Sequence, residues 1–196
     1  MTAEPLVLGF DTSAAHCAAA LLRGTDVLAA RLEEMTRGQA ERLMPLLEEI
    51  LSEHGVTWSD LSAIGVGIGP GNFTGIRISV SAARGLALAL DIPAVGVSTF
   101  DATAHGHPLP YAATVPAPRG QMYVQTTDLG AQPQLVSEEY TTDYPRLTPP
   151  EPAVLAEKIC LGAANRLDAS PVRPAPLYVR AADAAPARDL PPKILP

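Results

Sequence analysis

Apolar residues open the chain in short, dense runs. Leu6 to Phe10 is apolar around Gly9 and predicts a short buried strand ending in Asp11-Thr12-Ser13. His16 to Leu22 resumes as a second strand, Arg23 to Asp26 reads as a turn, and Val27 to Leu32 makes a third. Two strands joined by a short polar turn are most simply a hairpin. From Gly38 to His54 the period changes. Leu43, Leu46, Leu47, Ile50 and Leu51 recur at i, i+3, i+4, i+7 and i+8, one stripe of a helix whose other faces carry Glu41, Arg42, Glu48, Glu49 and Glu53. Gly55 is a natural stop. Pro45 must either sit in the first turn of a shorter helix or kink a longer one, and the longer kinked helix is the reading adopted.

Leu61 to Ile68 predicts a further strand, and Thr74 to Leu90 a helix whose polar side chains are essentially Arg77, Ser79, Ser81 and Arg84. Ser79, Ala82, Ala83, Gly85 and Ala89 are small enough for another helix to come very close. A helix apolar nearly all round must be covered on more than one side. Its own sheet covers one; a second subunit or the first long helix covers the other. Pro93 to Val97 predicts a strand and Thr99 to Ala104 a short helix.

The pattern loosens after His105. Of 20 prolines, 16 lie from Pro108 onward, so residues 108–196 read as a smaller domain with long connections beside a domain of residues 1–107. Tyr111 to Val115, Gln121 to Thr127 and Gln134 to Thr141 look like strands, Val154 to Ile159 a helix, Cys160-Leu161 and Leu177 to Val179 short strands. Prolines 186, 191, 192 and 196 mark a surface tail.

Composition narrows the function. At 196 residues with 47 % hydrophobic and 18 % charged residues, the chain can bury a core of its own. A net charge of −7 argues against holding nucleic acid unaided, because phosphate binding needs clustered Lys and Arg. Two distant cysteines, Cys17 and Cys160, suit a reducing compartment. Glu4 stands where a signal peptide would be basic, and no run approaches the roughly 20 apolar residues of a membrane span. The expectation is a soluble cytoplasmic protein.

The densest candidate chemistry is Gly65 to Arg77, G-V-G-I-G-P-G-N-F-T-G-I-R. A glycine-rich bend between strand and helix either presents helix N–H groups to an anion or simply makes a tight connection. No Lys follows Gly75, so it is not a Walker loop, and Asn72 breaks the dinucleotide fingerprint.

Four segments carry a resemblance: L-G-F-D-T-S (Leu8 to Ser13), the helix G-Q-A-E-R-L-M-P-L-L-E-E-I-L, the loop G-P-G-N-F-T-G-I-R and the run G-L-A-L-A-L-D-I-P-A-V-G-V-S-T. Together they resemble the bacterial TsaB (YeaZ) family. R-G-Q-M-Y (Arg119 to Tyr123) and P-L-Y-V-R (Pro176 to Arg180) match it in patches, while the second half is shorter than usual and reads Pro116-Ala117-Pro118 where an acidic-led segment is common. The resemblance implies an α/β, actin-like ATPase fold of the sugar-kinase and heat-shock type, in two related domains with the second reduced. It implies a dimerisation subunit, not a catalyst. Such a subunit pairs with a TsaD-like catalytic subunit, with a TsaE-like ATPase as third component, to transfer threonylcarbamoyl to N6 of the adenosine beside the anticodon of ANN-decoding tRNAs. ATP and metal would then belong to the partners, no cofactor would be bound tightly here, and tRNA would be met only through the complex. A homodimer is expected in isolation. The interface would draw on Leu43, Met44, Leu47, Val80, Ala82, Ala83, Gly85 and Leu86. Asp11, Thr12 and Ser13 would stand where such folds keep a first phosphate loop, with Gly69, Gly71, Thr74, Gly75 and Arg77 in the glycine loop, Arg77 as its conformational anchor.

Where the catalytic relative carries H-x-x-x-H, this chain reads Thr99 and Thr103, and hydroxyls cannot replace two imidazoles as a metal anchor. His105 and His107 read as exposed spectators and Asp101 stands alone. Two other readings are weighed: a stand-alone ATP-dependent phosphotransferase or ATPase, against which residues 108–196 offer no second phosphate loop, and a metallopeptidase, for which no H-E-x-x-H exists.

Overall fold

The computed structural model describes residues 4–128, 131–167 and 172–179. Strands β1 (Leu6–Asp11), β2 (His16–Arg23) and β3 (Asp26–Glu34) form an antiparallel meander. Helix α1 (Gln39–Glu53) follows, then a 3₁₀ turn at Trp58–Asp60 and β4 (Ala63–Gly67) parallel to β1. Helix α2 (Phe73–Leu90) leads to β5 (Ala94–Val97), parallel to β4, and then α3 (Thr99–Ala104). The sheet order β3-β2-β1-β4-β5 is that of the actin-like ATPase half expected from the sequence.

Period-2 alternation divides this sheet between two layers. Leu6, Leu8, Phe10, Cys17, Ala19 and Leu21 face α1 and α2. Val7, Ala18, Ala20 and Leu22 face the other way. The layer they meet is the main correction to the sequence reading. Helix α4 (Pro152–Ala164) is a full helix that includes Cys160-Leu161, read above as a strand, and it packs across β1, β2 and β4. The division at 107/108 therefore separates two sheets, but it does not separate α4 from the first sheet. Strand glycines allow the approach: a Cβ on Gly9 would meet Cys160 Sγ at 2.5 Å, and one on Gly65 would press Ala163 and the Ile159 carbonyl. Cys160 Sγ donates to the Ala20 carbonyl at 3.3 Å.

Pro45 lies inside α1, a single 15-residue helix. Its exposed side tolerates the donor it cannot supply to Glu41. All five stripe residues, Leu43 to Leu51, are buried. Outside the stripe, Arg42 bridges Glu33 of β3 and Glu49, while Arg31 reaches Glu53 at 2.6 Å.

The second sheet runs β8-β7-β6-β9, from β6 (Ala112–Ala117), β7 (Gln121–Thr126), β8 (Gln134–Ser137) and β9 (Arg146–Leu147). One face packs Ala113, Val115 and Tyr123 on Phe100 of α3, joining the two sheets. Leu177 to Val179 is not a strand: Leu177 N–H donates to the Ile68 carbonyl at 2.8 Å and leaves its neighbours unpaired in any sheet. The proline-rich tail from 180 lies outside the described residues.

Four of the interface residues expected from sequence are core instead. Leu43, Leu47, Val80 and Ala83 are each 2 % exposed or less, because α1 and α2 share one layer on their own sheet. Met44, Ala82 and Leu86 are half-buried against that core, and Gly85 is exposed. The bare side of α2 runs through Ser81, Gly85, Leu88 and Ala89; Leu88 is 83 % exposed, and a Cβ on Gly85 would meet nothing within 4 Å. Helix α1 does not cover it. By length and hydropathy α2 is a helix that could cross a bilayer, nearer to that limit than the sequence reading allowed; its other side is a layer of the core, and Arg77 and Arg84 lie within it.

Candidate functional site

Two loops meet at the carboxyl ends of β1 and β4, and the glycines that follow β4 make room for the loop that follows β1. The Thr12 hydroxyl donates to the Gly75 carbonyl at 2.7 Å, and Asn72 N–H donates to the Ser13 carbonyl at 2.6 Å. A Cβ at Gly75 would fall on the Thr12 carbonyl oxygen, and one at Gly71 on that of Ser13. Gly69, at φ +92°, turns the chain into a cis peptide with Pro70, and its carbonyl accepts from Thr99 N–H of α3 at 2.8 Å. Asn72 caps α2 by accepting from Gly75 N–H at 2.9 Å. Of the two meanings open for this glycine density, close backbone approach is the one that the geometry satisfies.

Beneath these loops lies Asp11, fully buried. Its Oδ2 accepts three hydrogen bonds: from Ser13 N–H at 3.0 Å, the Ser13 hydroxyl at 2.8 Å and His16 Nε2 at 2.8 Å. Its Oδ1 has no partner among the described residues and abuts Gly67, where a Cβ would collide with it. Ser13 and His16 both serve one carboxylate, so Ser13 is not presented to His16 as a nucleophile would be. His16 was absent from the sequence-derived set. The signal was a lone imidazole opening an otherwise apolar strand, but the partner five residues away appears only when the hairpin folds.

Asp11, Thr12, Ser13, Gly69, Gly71 and Gly75 thus come together. Thr74 and Arg77 do not. Thr74 is exposed at a hollow between the N-termini of α1 and α2. The Arg77 guanidinium lies 3.7 Å from the centre of the Phe73 ring, and its Nε donates to the Tyr178 hydroxyl at 2.9 Å. Phe73 and Tyr178 stack at 4.9 Å. Arg77 therefore ties the 172–179 segment to Phe73 of the glycine stretch, and among the described residues no hydrogen bond joins it to the Asp11 loop.

Thr99 and Thr103 are buried on α3, the Thr103 hydroxyl donating to the Thr99 carbonyl at 2.6 Å. Among the described residues no three His, Cys, Asp or Glu side chains cluster as a metal set. Asp101, expected to lack a second carboxylate, is contacted at 3.0 Å by Arg166, just past the end of α4. His105 is half-buried with its Nδ1 sealed and unpartnered, whereas His107 is exposed as expected.

A cleft of about 470 Å³ opens beside Ser13 and His16, between the first sheet and β6–β7. Six prolines, among them Pro70, Pro116 and Pro150, form much of its wall together with Val115, Tyr123 and Leu155. Among the described residues no Lys, Arg, Asp or Glu lines it.

The chain is similar to known proteins in sequence and in fold. The family model described as TsaD, tRNA N6-adenosine threonylcarbamoyltransferase, matches residues 32–156. The tRNA threonylcarbamoyladenosine biosynthesis protein TsaB of Escherichia coli (strain K12) is 35 % identical over 100 residues, which is 51 % of this chain and 43 % of that protein. Its Bacillus subtilis (strain 168) namesake is 36 % identical over 98 residues, 50 % of this chain and 43 % of that one. These alignments span less than half the length of the relatives. YeaZ from Pseudomonas aeruginosa superposes with a TM-score of 0.70 at 25 % identity, covering 89 % of this chain and 99 % of that structure. With well over half of its residues under the family model, and these relatives beside it, the chain belongs to the TsaD family and, within it, to the TsaB/YeaZ branch.

Proposed function

We propose that this chain is a non-catalytic assembly subunit in the biosynthesis of threonylcarbamoyladenosine in tRNA. It pairs with a TsaD-like catalytic subunit, with a TsaE-like ATPase as third member, for transfer of threonylcarbamoyl to N6 of the adenosine beside the anticodon of ANN-decoding tRNAs. The observation that carries this reading is the uncovered side of α2. Gly85 and Ala89 let another helix approach closely, and Leu88 offers it apolar surface. Met44, Ala82 and Leu86 flank that side, whereas Leu43, Leu47, Val80 and Ala83 support it from the core. Without the partner the same side makes a self-complementary homodimer. ATP and metal belong to the partner subunits, tRNA is met through the complex, and the setting is the cytoplasm. Against the alternative of a stand-alone ATP-dependent phosphotransferase stands the internal pairing of Thr12, Ser13 and Gly75 around a buried carboxylate, which leaves a phosphate few donors.

Gly85→Arg tests the reading. The site is open, so the variant keeps the circular dichroism and melting profile of the parent. It should lose co-purification with the TsaD-like partner and run as a monomer in light scattering. Undiminished co-purification by the folded variant refutes the placement.

A further inference from the structure

The cleft beside Ser13 is built around two polar side chains that are more than nine-tenths buried and not fully used. His16 is 6 % exposed, and its Nε2 is held by Asp11 Oδ2. A carboxylate oxygen only accepts, so in the neutral imidazole the proton sits on Nε2 and the Nδ1 lone pair is left over. That Nδ1 has no partner among the described residues and is not among the sealed atoms. The small area His16 keeps therefore opens into the cleft it lines. Tyr123, 7 % exposed, lines the same cleft, and its hydroxyl also makes no bond among the described residues. His16 Nδ1 thus supplies one acceptor and the Tyr123 hydroxyl one donor in a mostly apolar space, whose other polar lining residues are Ser13, Asn72 and Thr99.

The walls restrict what can use them. Rigid apolar proline rings beside the aromatic Tyr123 suit a ring with apolar faces. With no charged side chain lining the cleft among the described residues, a phosphate would meet no counter-charge. A volume of about 470 Å³ falls in the range for small-molecule pockets, roughly 300–1,000 Å³.

We propose that this cleft binds an uncharged heterocycle of nucleobase size, its N–H donating to His16 Nδ1 and an acceptor atom taking the Tyr123 hydroxyl. The inference does not rest on the docking role proposed above. The cleft adjoins α4 through Leu155 and the start of α2 through Asn72, and none of Ser81, Gly85, Leu88 and Ala89 lines it.

The full chain, labelled with ¹⁵N on its histidines, is titrated with adenine and with nicotinamide as neutral rings and with AMP as the anion. Binding of the neutral rings should shift the His16 Nδ1 resonance while Nε2 stays protonated, with AMP no tighter than adenine. Pro116→Trp, at an exposed wall position, fills the cleft without touching Asp11 and should weaken adenine at least tenfold. His16→Gln keeps a donor for Asp11 but removes the ring acceptor, and should weaken it similarly; should that variant not fold, Pro116→Trp still decides. The proposal is overturned if neither neutral ring moves His16 at millimolar concentration, if Pro116→Trp binds adenine as well as the parent does, or if AMP binds tenfold more tightly than adenine. Partner co-purification, read on the same variants, stays at the parental level if the two sites are separate.

Discussion

At the scale of single residues, the same amino acid does opposite things nearly three turns apart. Gly75 is compressed against the Thr12 carbonyl, whereas Gly85 faces open space on the same helix. A methyl group at 75 must push two loops apart, and overpacking of that kind costs about 1–3 kcal/mol. At 85 an alanine gains helix propensity of about 1 kcal/mol with nothing to displace. Urea titrations should therefore show Gly75→Ala losing stability and Gly85→Ala gaining it; equal effects would mean that the loop contact is not tight. Asp11 shows why the loop is built this way. An uncompensated buried carboxylate costs several kcal/mol, and three donors on Oδ2 offset that cost.

Among elements, apolar and charged contacts divide the task of holding α1. Its stripe is sealed in the core, while Arg42 holds Glu33 and Glu49 near the surface, and this contact keeps both carboxyls below their ordinary range. Leu47→Ala should cost about 2–5 kcal/mol, and that loss should be indifferent to salt. Arg42→Ala should cost far less than Leu47→Ala, and the loss should shrink further in 1 M salt, because exposed ion pairs are screened. Chemical denaturation of both variants at low and high salt compares them. A large, salt-independent effect at Arg42 would contradict this division.

For the whole molecule, α4 decides what can fold alone. It covers the apolar face formed by Val7, Ala18, Ala20 and Leu22, though more than forty residues of the second sheet intervene in the chain. A fragment ending at 107 should expose that face and aggregate or remain unstructured, whereas one ending at 167 should give a dispersed amide spectrum; a well-dispersed short fragment would contradict this. The two faces also hold the two thiols. Burial, with Glu33 adding to it, pushes Cys17 from 9.0 up to about 12, and burial raises Cys160 further. The sign follows from linkage: the unfolded chain releases these protons first, so stability is intact below pH 9.0 and falls as pH rises toward the folded values. Two-state unfolding at pH 8 to 10.5 should show this limb, and Cys17→Ala with Cys160→Ala should flatten it relative to the parent. An unchanged slope would remove the thiols as its cause.

Local pattern alone determined the meander, α1, α2 and α3: dense apolar runs broken by polar turns gave the strands, a regular stripe gave α1, and a long apolar run of small residues gave α2. The glycine stretch Gly65–Gly75 was also visible as a bend or a close approach of backbone, and the structure uses it for both. Three matters needed the tertiary structure. The Cys160 segment becomes a helix because small residues there fit over Gly9 and Gly65, contacts made across about 100 to 150 residues of chain. Whether Leu43 or Gly85 faces outward depends on which side of each helix meets the sheet, and composition cannot tell two apolar sides apart. His16 gains its meaning only from Asp11, which the hairpin brings beneath the glycine loop. Local spacing fixed which elements form; contact between distant segments fixed which of their residues remain available.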